Sequence, residues 1–86
     1  MALRVMYFFQ DGCMACHEQE PILGEVEKTY QIRAERINPL KERAYIGEYD
    51  LSVTPTILLI RDGTVVRRFE GVVHRERLED AIREFS

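Results

Sequence analysis

The chain's only two cysteines, Cys13 and Cys16, stand at a junction between a strand-like run and a helix-like run, and that junction restricts the fold more than any other segment. Before it, Leu3-Arg4-Val5-Met6-Tyr7-Phe8-Phe9 is short and rich in apolar and aromatic residues, the pattern of a mostly buried strand. Gln10-Asp11-Gly12 ends that strand. Beyond the cysteines, Glu18, Gln19, Glu20, Glu25 and Lys28 are good helix formers, while apolar Ile22, Leu23, Val26 and Tyr30 recur at three- and four-residue intervals. Cys13 is therefore expected at a helix N-terminus. Unpaired backbone N–H groups and the positive end of the helix dipole favour a thiolate there, which lowers the thiol pKa and makes Cys13 the attacking nucleophile. Cys16 follows about one turn deeper on the same face, within reach to displace a mixed disulfide and close an intramolecular one. As a plain stabilising bridge the pair would do little, because closing so short a loop barely restricts the unfolded chain.

Composition narrows the function classes. At 86 residues, 45% hydrophobic and 31% charged, the chain suits one compact domain over residues 1–86 with a modest core. Its 15 acidic and 12 basic residues are intermixed, with no basic block and no aromatics interleaved with arginines, which argues against a nucleic-acid partner. The first residues lack a charged n-region, an apolar h-region and a small-residue cleavage site, and no later stretch could span a bilayer. The expectation is a cytoplasmic protein without a membrane partner. In a reducing cytosol a CxxC pair is more often catalytic or metal-binding than structural.

Further along, Ile32-Arg33-Ala34-Glu35-Arg36-Ile37-Asn38 has the alternating polarity of a second strand, ending at Asn38-Pro39. A short helix is expected from Leu40 to Tyr49, weakened near its end by Gly47. Thr56-Ile57-Leu58-Leu59-Ile60 is an apolar run of strand length, and Asp62-Gly63 separates it from Thr64-Val65-Val66-Arg67-Arg68-Phe69, a strong hairpin signal. From His74 to Phe85, Leu78, Ala81, Ile82 and Phe85 share one helical face. No internal repeat or linker interrupts the series. The predicted order is β-α-β-α-β-β-α, an α/β fold with a four-stranded mixed sheet and helices on both faces.

With those elements in place, the chain resembles the thioredoxin-like superfamily, in the minimal form that lacks the extra N-terminal strand and helix. Pro21, five residues after Cys16, matches the proline that kinks the family's active-site helix. Tyr49-Asp50-Leu51-Ser52-Val53-Thr54-Pro55-Thr56 resembles the segment leading into its cis-proline, Asp62-Gly63 matches the hairpin turn and Gly71 a glycine after the following strand. The resemblance implies a cis Thr54-Pro55 bond beside the cysteine pair, with Val53, Thr54 and Pro55 as substrate contacts that offer backbone groups to a partner polypeptide. It also implies a thiol-disulfide oxidoreductase that reduces protein disulfides, with Cys13 attacking and Cys16 resolving. No cofactor is implied. The partners implied are disulfide-containing proteins and a thioredoxin-reductase-like or glutathione electron donor, and nothing in the sequence requires more than a monomer.

Departures from the family pattern point to residues that could tune the pair. The chain has Gly12-Cys13-Met14-Ala15-Cys16 where full thioredoxins carry Trp-Cys-Gly-Pro-Cys, and it contains no tryptophan. Thioredoxins bury an aspartate under the second cysteine, but Tyr7 takes the aligned position. Arg36 aligns with the lysine that accompanies that aspartate, so the expected ion pair lacks one member and a surface position is its plainer reading. His17, directly after Cys16, is a third candidate pKa modulator or a solvated first-turn residue, whereas His74 is expected at the start of the last helix without a chemical role.

Other chemistries compete for the same residues. Cys13-Met14-Ala15-Cys16-His17 is a formal match to the haem-attachment motif, with Met1, Met6 and His74 as the nearest distal ligands, but it would usually require an exported precursor. Zinc could use Cys13, Cys16 and His17, yet a closed site needs four ligands. A glutaredoxin-type glutathione-dependent enzyme has this length and element order, but Glu70-Gly71-Val72-Val73-His74 lacks that family's glycine pair. A redox-inert adaptor is the remaining alternative, and retention of both cysteines argues against it.

Overall fold

The alternation of side chains along two central strands divides this molecule into two cores. The computed structural model describes residues 3–86. Met1, one of the distal haem ligands considered above, lies outside the described residues. Seven elements follow in order: β1 (Leu3–Phe8), α1 (Met14–Tyr30), β2 (Glu35–Ile37), α2 (Ala44–Tyr49), β3 (Thr56–Arg61), β4 (Thr64–Glu70) and α3 (Arg75–Phe85). The strands form one mixed sheet, ordered β2-β1-β3-β4. β1 runs parallel to β2, with Tyr7 opposite Arg36, and antiparallel to β3, with Tyr7 opposite Ile57. β3 and β4 form an antiparallel hairpin whose turn residues Asp62 and Gly63 both have positive φ, the backbone form that an Asp-Gly pair tolerates.

Successive side chains on a strand face opposite ways. Val5, Tyr7, Ile57 and Leu59 therefore join Leu23 and Val26 of α1 and Leu78, Ala81 and Ile82 of α3 in the larger core. Met6, Phe8, Leu58 and Ile60 face the other way with Ile37, under Tyr45, Tyr49 and Leu51. The Phe8 ring lies 5.8 Å from that of Tyr45 and 6.1 Å from that of Tyr49, centroid to centroid. Helices thus cover both faces, as the sequence pattern predicts. Val5, Met6, Tyr7 and Phe8 are all no more than 1% exposed. Each such side chain contributes roughly 1.5–3 kcal/mol by burial, so β1 is the strand on which both cores depend.

Two elements are shorter than their patterns predict, because nearby groups claim their backbone. The strand expected from Ile32 begins only at Glu35. Gln31 takes the left-handed conformation that closes α1, the Ile32 N–H donates to the Glu27 carbonyl at 3.1 Å, and the Ala34 N–H donates to the Glu27 carboxylate at 2.7 Å. The helix expected from Leu40 begins at Ala44. Asn38 organises the intervening turn: its side-chain oxygen accepts from the Leu40 N–H at 3.0 Å, and its carbonyl accepts from the Lys41 and Glu42 N–H groups.

Two long side chains then fix the loops that carry the site. Arg68 of β4 donates to the carbonyls of Tyr49 and Asp50, both at 2.7 Å, satisfying the end of α2 where the chain turns toward Thr54. Gln19 of α1 is completely buried; it donates to the Val73 carbonyl at 3.1 Å and accepts from the Val73 N–H at 2.8 Å. Both polar ends of the amide are satisfied by one backbone unit, which holds α1 against the segment entering α3.

Candidate functional site

The site begins with a turn that only a few residue types accept. Gly12 has φ +72, in the left-handed region where a side chain would be strained although nothing lies within 4 Å of the place a Cβ would take. That turn delivers Cys13 to the N-cap of α1 in an extended conformation. Its sulfur accepts a hydrogen bond from the Cys16 N–H at 3.1 Å, taking the part that serine, aspartate or asparagine oxygens play at other helix starts. No acidic residue occupies the first turn, so the positive end of the helix dipole acts on that sulfur undiluted. Cys13 and Cys16 are joined by a disulfide, with Cα atoms 5.2 Å apart. Cys13 is partly exposed, whereas Cys16 is 6% exposed.

Across the site, the Thr54-Pro55 peptide bond is cis. The Thr54 hydroxyl donates toward the Cys13 sulfur at 3.7 Å, and the Thr54 carbonyl oxygen lies 3.8 Å from the same sulfur. Pro55 is buried and its carbonyl accepts from the Gly71 N–H at 2.9 Å, while Thr56 donates through its hydroxyl to the Val53 carbonyl at 2.7 Å. The loop is therefore tied at both ends and presents Thr54 to Cys13. Val53 is 45% exposed and Met14 82% exposed, giving the rim of the disulfide two apolar side chains in solvent.

The three candidate modulators occupy different places. Tyr7 is buried beneath the first turn, and its hydroxyl donates to the Cys16 carbonyl at 3.1 Å. Burial first, and the Glu20 carboxylate second, push its pKa up to about 12, so it stays protonated through the neutral range. Arg36 lies at the surface, as the plainer reading has it, but it is paired there. Its Nε donates to Glu20 at 2.7 Å and its two terminal nitrogens donate to the two oxygens of Glu27, each at 2.9 Å. Two glutamates of α1 thus supply the missing member of its ion pair, and the Glu27 pKa is lowered, chiefly by hydrogen bonds from Arg36. His17 is exposed, with its backbone N–H on the Cys13 carbonyl at 3.1 Å. His74 caps α3 without a side-chain hydrogen bond.

Between Tyr7, Cys16, His17, Glu20 and Arg36 lies an open cleft of about 330 Å³. Its wall therefore mixes the buried cysteine with polar side chains, to which Gln10 and Asp11 also contribute. Reading the sequence missed Gln19, Glu20, Glu27 and Arg68. For Glu20 a signal was present, since it follows Cys16 by four residues and so shares its helical face. Met6, a distal ligand in the haem alternative, is fully buried in the core beneath α2. Among the described residues no three His, Cys, Asp or Glu side chains converge as a metal-ion site, and no helix is long and apolar enough to cross a membrane.

Comparison with known proteins agrees with this geometry. The thioredoxin family model matches residues 2–84. A disulfide bond formation protein of Brevibacillus choshinensis is 37% identical over 76 residues, covering 81% of this chain and 62% of that protein. Thioredoxin Y2 of Arabidopsis thaliana chloroplasts is 31% identical over 77 residues, covering 87% of this chain and 46% of that protein. The chain thus spans less than two thirds of the length of either relative. Among solved structures, thioredoxin-2, a component of the malaria parasite's protein secretion machinery, superposes with a TM-score of 0.90 at 25% identity, covering 96% of this chain and 82% of that one. The reduced thioredoxin pre-protein of Schistosoma mansoni does so with a TM-score of 0.88 at 26% identity, covering 98% and 79%. These matches do not favour the glutathione-dependent alternative.

Proposed function

Because this chain belongs to the thioredoxin family, we propose that it is a thiol-disulfide oxidoreductase that reduces disulfides in other proteins through Cys13 and Cys16. The observation that carries this reading is the environment of the Cys13 sulfur at the N-cap of α1, with the Cys16 N–H and the Thr54 hydroxyl both directed at it. In the reduced protein those donors and the helix dipole stabilise a Cys13 thiolate. The thiolate attacks one sulfur of a target disulfide, forming a mixed disulfide and releasing the other target sulfur as a thiolate. Cys16, after losing its proton, attacks the Cys13 sulfur; the second target thiolate leaves and the Cys13–Cys16 disulfide is closed. A donor of two electrons, of the thioredoxin-reductase or glutathione class, then restores both thiols. Val53, Thr54 and Pro55 form the substrate contact, with the Thr54 backbone pairing alongside the target strand. The reading carries a reducing, cytoplasmic setting with it.

The test is reduction of insulin disulfides with dithiothreitol as donor. Cys13→Ser is expected to abolish turnover above the uncatalysed rate, and Cys16→Ser to accumulate covalent mixed disulfides visible by intact mass. Full activity in Cys13→Ser would sink the proposal.

A second reading follows from the 37% identity to a disulfide bond formation protein, namely that the pair gives its disulfide to targets. Redox titration against dithiothreitol and glutathione, read by thiol alkylation, separates the two. A midpoint near the reducing end of the range of about −270 to −120 mV supports the reductase, and one near the oxidising end supports the disulfide donor.

A further inference from the structure

Resolution requires a proton acceptor for Cys16, and none of the groups bonded to that residue can serve. Its N–H is committed to the Cys13 sulfur. Tyr7, the nearest buried hydroxyl, donates to the Cys16 carbonyl and keeps its own proton. The thiol itself lines the cleft, and so does Glu20, four residues on and therefore on the same side of α1. Glu20 is held at that wall by the Arg36 Nε at 2.7 Å, while the other two guanidinium nitrogens are fixed by Glu27. The cleft, at about 330 Å³, is large enough for several water molecules.

We propose that Glu20, oriented by Arg36, takes the Cys16 proton through water in this cleft during resolution of the mixed disulfide, and is a positioning residue for that step. This rests on the reading of Cys16 as the resolving thiol. The Cys16 S–H bond breaks and its proton passes through water to the Glu20 carboxylate. The Cys16 thiolate then forms a bond to the Cys13 sulfur as the bond from Cys13 to the target sulfur breaks, and the departing thiolate takes up a proton from the cleft. The other titratable groups facing this path are Tyr7 from β1, Asp11 from the loop before α1, His17 from α1 itself and Arg36 from β2, whose far side is bound by Glu27. α3 meets α1 farther along, where Arg75 pairs with Glu25.

The experiment follows reduced protein mixed with an aromatic disulfide, Ellman's reagent, in a stopped-flow spectrometer. The first thionitrobenzoate released reports attack by Cys13 and the second reports resolution by Cys16. Glu20→Gln is expected to leave the first phase unchanged and to slow the second by about tenfold or more at pH 6.5, a modest share of the usual effect of a positioned acid or base. The deficit is expected to shrink below about twofold by pH 9.5, where a thiol of ordinary pKa near 8.5 ionises unaided. Glu20→Asp is expected to recover part of the lost rate at pH 6.5. A second phase in Glu20→Gln that keeps the native pH profile overturns the proposal, as does an equal slowing at every pH, which would mean a merely structural role. Loss of the profile in His17→Gln with Glu20→Gln unaffected also overturns it. Failure of the underlying reading looks different, because then Cys13→Ser, left with Cys16 alone, would keep the first phase at the native rate.

Discussion

The two ends of α1 solve the same problem in opposite ways. Both expose backbone groups that need partners. At the C-terminal end, Gln31 turns left-handed, Glu27 receives the Ala34 N–H through its carboxylate and the Ile32 N–H through its carbonyl, and Arg36 clamps that carboxylate with two hydrogen bonds. Every partner there is a group with no reactivity of its own. At the N-terminal end the cap is a sulfur, the first turn holds no carboxylate, and a cleft opens beside it. The stabilising devices that could have been placed at the start of the helix, an oxygen cap and an acidic first turn, are the ones that would raise the energy of a thiolate or replace it. One end of the helix is built for stability and the other gives up some stability for a reactive atom.

That contrast can be broken from the middle outwards. The largest effect is expected from Gln19→Ala, which leaves the Val73 N–H and carbonyl buried without partners and opens a void. Denaturant unfolding should show a loss of about 3 kcal/mol. If the ends are independent, the pH midpoint for alkylation of Cys13 in the reduced variant stays where it was, and a midpoint that moves by more than half a unit shows them to be coupled. A smaller loss, about 1 kcal/mol near pH 7, is expected for Glu27→Gln, because charge-assisted bonds from a partly exposed arginine are only moderately strong. The sign follows from the lowered Glu27 pKa. Its contribution is fully present above the ordinary glutamate range and disappears as pH falls through the lowered value of the folded state. Unfolding measured from pH 7 down to 2 should therefore show native and variant converging at the acid end, and a constant gap would reject the ion pair as the cause. The smallest effect sharpens the other end. Met14 is 82% exposed, so Met14→Glu adds a first-turn carboxylate without disturbing packing. A like charge near the Cys13 sulfur should raise its alkylation midpoint by roughly half a pH unit at low salt, and less at high salt.

The same contrast explains what could be read from the sequence. Cys13 at a helix start, the seven elements and the burial of Val5 to Phe8 were legible because they follow from periodicity and from residue types with one dominant environment. The C-terminal end of α1 was not legible. Glu27 and Arg36 look like ordinary solvated charges in a chain that is 31% charged, and only the parallel pairing of β1 with β2 brings Arg36 over two glutamates of the helix. Gln19 escaped notice for a related reason. A glutamine amid glutamates reads as a surface helix former, and its partner Val73 lies 54 residues away. Arg68 likewise caps a helix from another strand, 19 residues beyond the carbonyl it satisfies. Long-range side-chain-to-backbone bonds leave no local pattern, whereas helical and strand periods do.

The parity of β1 has one more consequence. Val5 and Tyr7 belong to one core and Met6 and Phe8 to the other, so the strand is a two-colour thread with the tyrosine hydroxyl on the colour that runs beneath Cys16. Slipping that thread by a single residue would exchange the colours along its whole length. A phenylalanine or a methionine, according to the direction of the slip, would then lie under the disulfide, and the tyrosine hydroxyl would be turned into the core beneath α2. Insertion or deletion within Leu3–Phe8 is thus a change of reading frame in space, felt at once by both cores and by the sulfur chemistry.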